Sequence, residues 1–249
     1  KYEFLTFERL GYLNERIIEI KSIEDFPIDF DPLHLVILFK REEILPKPEE
    51  LPLFGINDSV FLQYSDCPGL MTKKEVRVQL LAELNLPKNG IIWDIGSGVG
   101  SIGLEALRIS SNLRLLSIDK RIGSKNIIEE NARRLGVEPS LIIEGEALNI
   151  LKEKKIRDDL LHPDRVIIGG GGSSSHLIIE EVLKQINSGC IIVIPLISLK
   201  SISKLESMLT PKVDKLSISQ HQSYRGINIG EDIRLSPLNP VFILKGEIK

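Results

Sequence analysis

Cysteine is nearly absent from this chain: only Cys67 and Cys190 occur. Neither has a paired Cys/His spacing nearby, so neither a disulfide scaffold nor a structural zinc site is written here, and a reducing compartment is expected. Both thiols are read as packing groups. Long apolar runs are lacking too, since the longest, Cys190 to Leu196, falls far short of the ~20 residues a membrane span needs. There is no surplus of positive charge. The formal net charge is −3, whereas a general nucleic-acid surface would show clustered Lys and Arg and a high pI. The expected partner is therefore a small molecule, with no nucleic acid and no membrane. The chain opens at Lys1 without an initiator Met or an apolar signal region, which reads as cytoplasmic and as a cut end with something upstream.

What remains is ordinary globular material. At 249 residues, 42% hydrophobic and 27% charged, the chain can bury one large core, or one core with an appendage. Composition shifts once: residues 40 to 58, KREEILPKPEELPLFGIND, are rich in Pro and charge without periodicity and read as a linker. Ahead of it stand two strand-like pieces, ERIIEI and HLVILFK, too few for a core of their own. Behind it the order is regular. A helical stripe runs through Val76, Leu80, Leu81 and Leu84, then come a buried strand IIWDI, a helix SIGLEALRIS, a strand LRLLSID and a helix SKNIIEENARRLG closed by Gly136. Strand SLIIEGEA, a helix around LNILKEKK, strand DRVIIGG, helix HLIIEEVLKQI and strand CIIVIPL follow. This alternation predicts a doubly wound, mostly parallel α/β sheet of Rossmann-like type with right-handed crossovers. In the tail, VDKLSISQHQSY and NPVFILKGEI predict an antiparallel C-terminal hairpin at one sheet edge. By analogy, such a hairpin on an adenosine-binding sheet points to class I S-adenosylmethionine-dependent methyltransferases.

The turn after IIWDI carries the chemistry. Asp94-Ile95-Gly96-Ser97-Gly98-Val99-Gly100 spaces its glycines as G-x-G-x-G, unlike the G-x-G-x-x-G of dinucleotide sites, and no Lys follows Gly100 as a triphosphate loop requires. Gly98 and Gly100 allow close backbone approach and positive φ where strand becomes helix. Asp94, at the carboxyl end of its strand, is expected to face the crevice. A carboxylate there repels a pyrophosphate but suits an ammonium or sulfonium, so a cofactor bearing an amino acid is expected. Asp119 ends the next strand, placed to accept hydrogen bonds from both ribose hydroxyls. Glu146 and Ala147 end the third, where an adenine amine is expected. The glycine run Gly169 to Gly172 ends the fourth and would let backbone approach a methyl donor or a large ring.

From about Cys67 onward the chain resembles the carbon-15 methyltransferase and decarboxylase module of the precorrin-6Y C(5,15)-methyltransferase (decarboxylating) family of cobalamin biosynthesis. The likeness rests on PGLMTKKEVR (68 to 77), DIGSGVGSIGLEA (94 to 106), EENARRLGV (129 to 137), EGEA (144 to 147), RVIIGGGG (165 to 172) and LNPVFILKGE (238 to 247). The first and the last two are more diagnostic than the glycine motif. Residues 1 to 40, with ERLGYLNERI and DPLHLVILFK, look like the closing segment of a tetrapyrrole methylase domain. That makes 1 to 58 a remnant tail plus linker and 59 to 249 the methyltransferase domain. The resemblance implies S-adenosylmethionine, held by Thr72, Gly96, Ser97, Gly98, Val99, Gly100, Asp119 and Ala147. It also implies methylation of a precorrin at carbon 15 with loss of the carbon-12 acetate carboxyl, and a homo-oligomer of tetramer type; methyl transfer of this kind requires no metal. INIGEDIRLSP, after SYRG, departs from the family pattern.

A precorrin with many carboxylate arms calls for Lys and Arg, and for Arg where pairing is bidentate. Lys73, Lys74, Arg77, Arg225 and Arg234 are the candidates, with Arg77 and Arg225 preferred because they sit in family-like segments. Carbon 15 of an electron-rich ring attacks without a strong base, so positioning and exclusion of water are expected to supply most of the acceleration. Reprotonation after decarboxylation calls for a general acid. His221, Tyr224 and His176 have suitable chemistry, and the sequence singles out none of them. Two other classes remain open. An RNA or protein methyltransferase shares the cofactor half but usually shows an Asn/Asp-Pro-Pro-Tyr/Phe motif or a basic face, where this chain has IIGGGG. A non-catalytic partner domain is opposed by Asp94, Gly96, Gly98 and Asp119.

Overall fold

Ahead of the linker three strands form rather than two. β1 (Tyr2–Glu8) lies between β2 (Arg16–Ile20) and β3 (His34–Lys40) and pairs antiparallel with both. This three-stranded sheet buries Ile20, Thr6 and Glu8, and the Glu8 carboxylate is held by Arg16 at 2.6 Å. In this computed structural model the described residues are 2–20, 25, 29–40, 45–67, 70–169, 175–230 and 232–249. Pro68 and Gly69 of the PGLMTKKEVR motif and Gly170 to Gly172 of the glycine run lie outside them. The chain forms two compact units, Lys1–Leu45 and Pro46–Lys249.

In the second unit, side-chain alternation along the strands sorts the core into two layers. In β4 (Gly90–Ile95) Ile92 packs on one side, while Ile91, Trp93 and Ile95 pack on the other. In β5 (Leu113–Asp119) Leu113 and Leu115 oppose Leu116 and Ile118 in the same way. The first layer is covered by α1 (Lys74–Glu83), α2 (Ser101–Ile109) and α3 (Ser124–Leu135), through Leu80, Leu104 and Ile128 among others. The second is covered by α4 (Ala147–Lys152), α5 (Ser175–Leu183) and α6 (Leu199–Leu209), through Ile150, Ile179 and Leu205. Burial on both faces is why these strands read as continuous apolar runs.

The remaining strands are β6 (Leu141–Glu144), β7 (Arg165–Ile168), β8 (Ile191–Leu196), β9 (Ser217–His221), β10 (Tyr224–Ile229), β11 (Asp232–Pro237) and β12 (Val241–Glu247). The main sheet runs β6-β5-β4-β7-β8-β12-β9. Pairs from β6 to β8 are parallel, and β12 inserts antiparallel between β8 and β9. The doubly wound Rossmann-like sheet with an antiparallel C-terminal hairpin is therefore present. Two things were not anticipated: helix α6, whose apolar stripe Ile202, Leu205 and Leu209 is thinned by Lys and Ser, and a separate hairpin of β10 with β11.

Candidate functional site

The strand order reverses between β4 and β7, and at such a point the carboxyl ends open a crevice. Backbone lines it. Gly96 leaves β4 with φ +73°, and a Cβ there would run into the carbonyl oxygen of Gly169, whose own N–H donates to the Ile95 carbonyl at 2.7 Å. Gly98 has φ +60° and no heavy atom within 4 Å of where a Cβ would stand, so this turn is open to a ligand. The cleft measures about 960 Å³. Its ends differ chemically. On the β5 side stand Asp119 and Arg121, with Tyr64; on the β8 and β12 side stand Pro195, Leu196, Ile197, Pro237 and Leu238.

Asp119 organises the polar end. One carboxylate oxygen accepts from the Gly98 N–H at 2.7 Å and the other from the Arg121 N–H at 2.9 Å. The Tyr64 hydroxyl donates to the Gly98 carbonyl at 3.5 Å, and the Arg121 guanidinium stacks over the Tyr64 ring at 4.6 Å. Burial, reinforced by the Asp119 charge, pushes the Tyr64 hydroxyl up to about 12, which keeps it a donor at neutral pH. Asn131 of α3 is fully buried and ties the segment before α1 to the glycine loop. It accepts from the Leu62 N–H at 2.6 Å and donates to the carbonyls of Leu62 and Val99 at 3.0 and 2.9 Å. The Oγ of the cleft residue Ser97 is buried without a hydrogen-bond partner among the described residues, whereas Arg121 Nη1, also without a hydrogen bond, is 3.6 Å from Asp66. An open glycine cradle, an acid at the β5 end and an unsatisfied hydroxyl fit an adenosine-bearing amino-acid cofactor.

Of the residues expected to hold that cofactor, Thr72, Gly96, Ser97, Gly98, Val99, Asp119 and Gly169 line the cleft. Asp94 does not face it, contrary to expectation. Its side chain lies beneath α2, 1% exposed, accepting the Gly103 N–H at 3.1 Å, and burial with the Asp119 charge pushes it up to about 7. Gly100 turns toward Ile128 and Leu104 in the core and starts α2. Glu146 is solvent-exposed and pairs with Lys120 at 3.2 Å, while Ala147 is buried in the first turn of α4.

The preferred substrate cations need correction. Arg77 is wholly buried and has no surface to offer a substrate. Its guanidinium donates to Glu105 at 2.8 Å, to Asp58 at 2.7 Å, to the Thr72 carbonyl at 2.7 Å and to the Ile56 carbonyl. Arg225, on β10, is bound by Glu75 at 2.6 Å and Asp58 at 2.9 Å, and these carboxylates hold it firmly protonated. Burial would raise the Asp58 carboxyl, but Arg77 and Arg225 outweigh it and keep it below the usual range. Among the proton donors considered, His221 bonds Ser219 at 2.9 Å, Tyr224 is exposed and His176 is on α5; none lines the cleft. Lys73 does line it, and Lys74 points to Asn57 instead. Tyr64, Arg121 and Asn131 were missed, although Asn131 lies inside the EENARRLGV segment. Their side-chain contacts span 32 to 69 residues in sequence, beyond the reach of local spacing.

Residues 64–246 match the precorrin methyltransferase domain family. A probable cobalt-precorrin-6B C(15)-methyltransferase (decarboxylating) of Pyrobaculum aerophilum is 34% identical over 76% of this chain and 94% of its own length. The protein of the same description from Saccharolobus solfataricus is 34% identical over 78% of this chain and 95% of its own length. The crystal structure of a precorrin-6Y C5,15-methyltransferase from Geobacter metallireducens superposes with a TM-score of 0.70 at 27% identity, covering 80% of this chain and 99% of that one. Among the described residues no helix is long and apolar enough to cross a membrane.

Proposed function

This chain belongs to the precorrin methyltransferase domain family, and from that premise we propose that it methylates a precorrin at carbon 15 with S-adenosylmethionine and removes the carboxyl of the carbon-12 acetate arm, in cobalamin biosynthesis. One observation carries the reading: among the described residues, the family match, residues 64–246, contains every one that lines the cleft, from Tyr64 to Val241.

When bound, the cofactor supplies an electrophilic methyl on a sulfonium. The chain supplies placement. Asp119 would accept from ribose hydroxyls, the turn from Gly96 to Val99 would let backbone border the cofactor, and Thr72 and Gly169, which line the same cleft, would help hold it. The apolar wall of Pro195, Leu196, Pro237 and Leu238 offers a dry face to a macrocycle, so that the ring carbon is held in line and water is excluded. No strong base is required of the cleft, because the ring is the nucleophile.

The homo-oligomer, a tetramer, is part of the same proposal. Hairpin β10–β11 supports it: on one of its faces Tyr224, Ile233 and Leu235 are exposed, apolar side chains that solvent does not favour. Residues 1–58 are proposed as the tail of a tetrapyrrole methylase domain, and the cytoplasm as the working compartment. The test is incubation with cobalt-precorrin-6B and methyl-labelled cofactor. Label in the tetrapyrrole together with released carbon dioxide is the expected result. Label transferred to RNA and none to the tetrapyrrole would replace the reading.

A further inference from the structure

Among the described residues the cleft has two cationic side chains in its lining, Lys73 and Arg121. Arg121 is engaged at the polar end, stacked on Tyr64, 3.6 Å from the Cys67 sulfur and 3.6 Å from Asp66. Lys73 is different. It immediately precedes α1, is half-buried, and its ammonium has no carboxylate partner among the described residues.

The reason is visible one turn along the helix. Three carboxylates stand near the start of α1, and every one is claimed: Glu105 by Arg77, Asp58 by Arg77 and Arg225, and Glu75 by Arg225. The Asp58 carboxylate also takes the Lys74 N–H at 3.0 Å. The two arginines that looked like substrate contacts thus consume the local negative charge and leave Lys73 uncompensated. Helix α1 packs toward β8 and β12. Lys73 lines the same cleft as the apolar side chains of Leu196 and Leu238. An ammonium against apolar walls is poorly screened and favours an anion more than one in open water does.

We propose that Lys73 pairs with a ligand carboxylate in this cleft. The proposal rests on the methyltransferase reading. Two sources carry that chemistry, a carboxylate arm of the tetrapyrrole and the methionyl carboxylate of the cofactor.

Titrations of the full chain and of Lys73→Met and Lys73→Arg distinguish them, using uroporphyrin as a polycarboxylate tetrapyrrole, S-adenosylhomocysteine, and 5′-methylthioadenosine, which lacks the carboxylate. A charge-assisted pair is worth roughly tenfold or more in affinity. A loss of that size in Lys73→Met for uroporphyrin alone, restored by Lys73→Arg and flattened by salt, assigns the pair to the substrate. The same loss for S-adenosylhomocysteine with 5′-methylthioadenosine unaffected assigns it to the cofactor. Unchanged affinity for both carboxylate ligands overturns the proposal, and so does an equal loss for 5′-methylthioadenosine, which would mean a displaced loop. If the unaltered chain bound neither S-adenosylhomocysteine nor uroporphyrin, the methyltransferase reading itself would fall, and this inference with it.

Discussion

Arg77 shows how far a residue's role depends on its surroundings. The same side chain that suits a carboxylated substrate is here wholly internal, with Glu105, also fully buried, as its partner at 2.8 Å. Removing one member of a buried pair leaves an uncompensated charge, so Arg77→Ala should lower stability by about 3–5 kcal/mol, read as a shift of the urea midpoint. Arg77→Lys should recover only part of it, because one ammonium cannot satisfy four acceptors arranged around a planar fork. A loss below ~1 kcal/mol would show that the network is not structural. Asp94 gives a prediction of opposite kind. Its carboxyl is raised by burial from 3.8 to about 7, so between these values the native state holds a proton that the unfolded state has released. Stability should therefore fall as pH rises through that window. Asp94→Asn should remove this slope, and urea midpoints taken at both ends of the window check it.

At the scale of elements, most of the second unit is legible in the sequence because the central strands β4, β5, β7 and β8 are buried on both faces and most helices carry an apolar stripe. Those patterns are local. IIWDI, LRLLSID and CIIVIPL all became strands, and the glycine turn after IIWDI borders the cleft. What stayed hidden depends on partners far along the chain. The exposed strands β10 and β11 have no apolar alternation imposed by a core, so INIGEDIRLSP gave no signal beyond being unusual. Likewise Arg225 cannot be read without knowing that β10 lies against Glu75 and Asp58. The hairpin also carries the oligomer proposal. Ile233→Glu with Leu235→Glu places charge on its exposed apolar side chains and should shift sedimentation from a tetramer to smaller species, while Arg77 and the cleft are untouched. Sedimentation unchanged by the pair would remove the hairpin from the interface.

Across the whole molecule, a modest negative net charge, a doubly wound sheet and one cleft at its switch point divide the work. The sheet fixes the glycine turn and Asp119, α1 and its preceding segment close the cleft, and the last strands provide an apolar wall. Methyl transfer by this chain requires first that the cleft take the cofactor. Calorimetric titration with S-adenosylhomocysteine, on the chain and on Asp119→Ala, tests that directly. Asp119 holds the Gly98 N–H and is the residue proposed to meet the ribose, so binding is expected in the unaltered chain and a loss of about tenfold or more in the variant. No heat of binding by the unaltered chain, or equal affinity in both, would contradict the assignment of this cleft to S-adenosylmethionine.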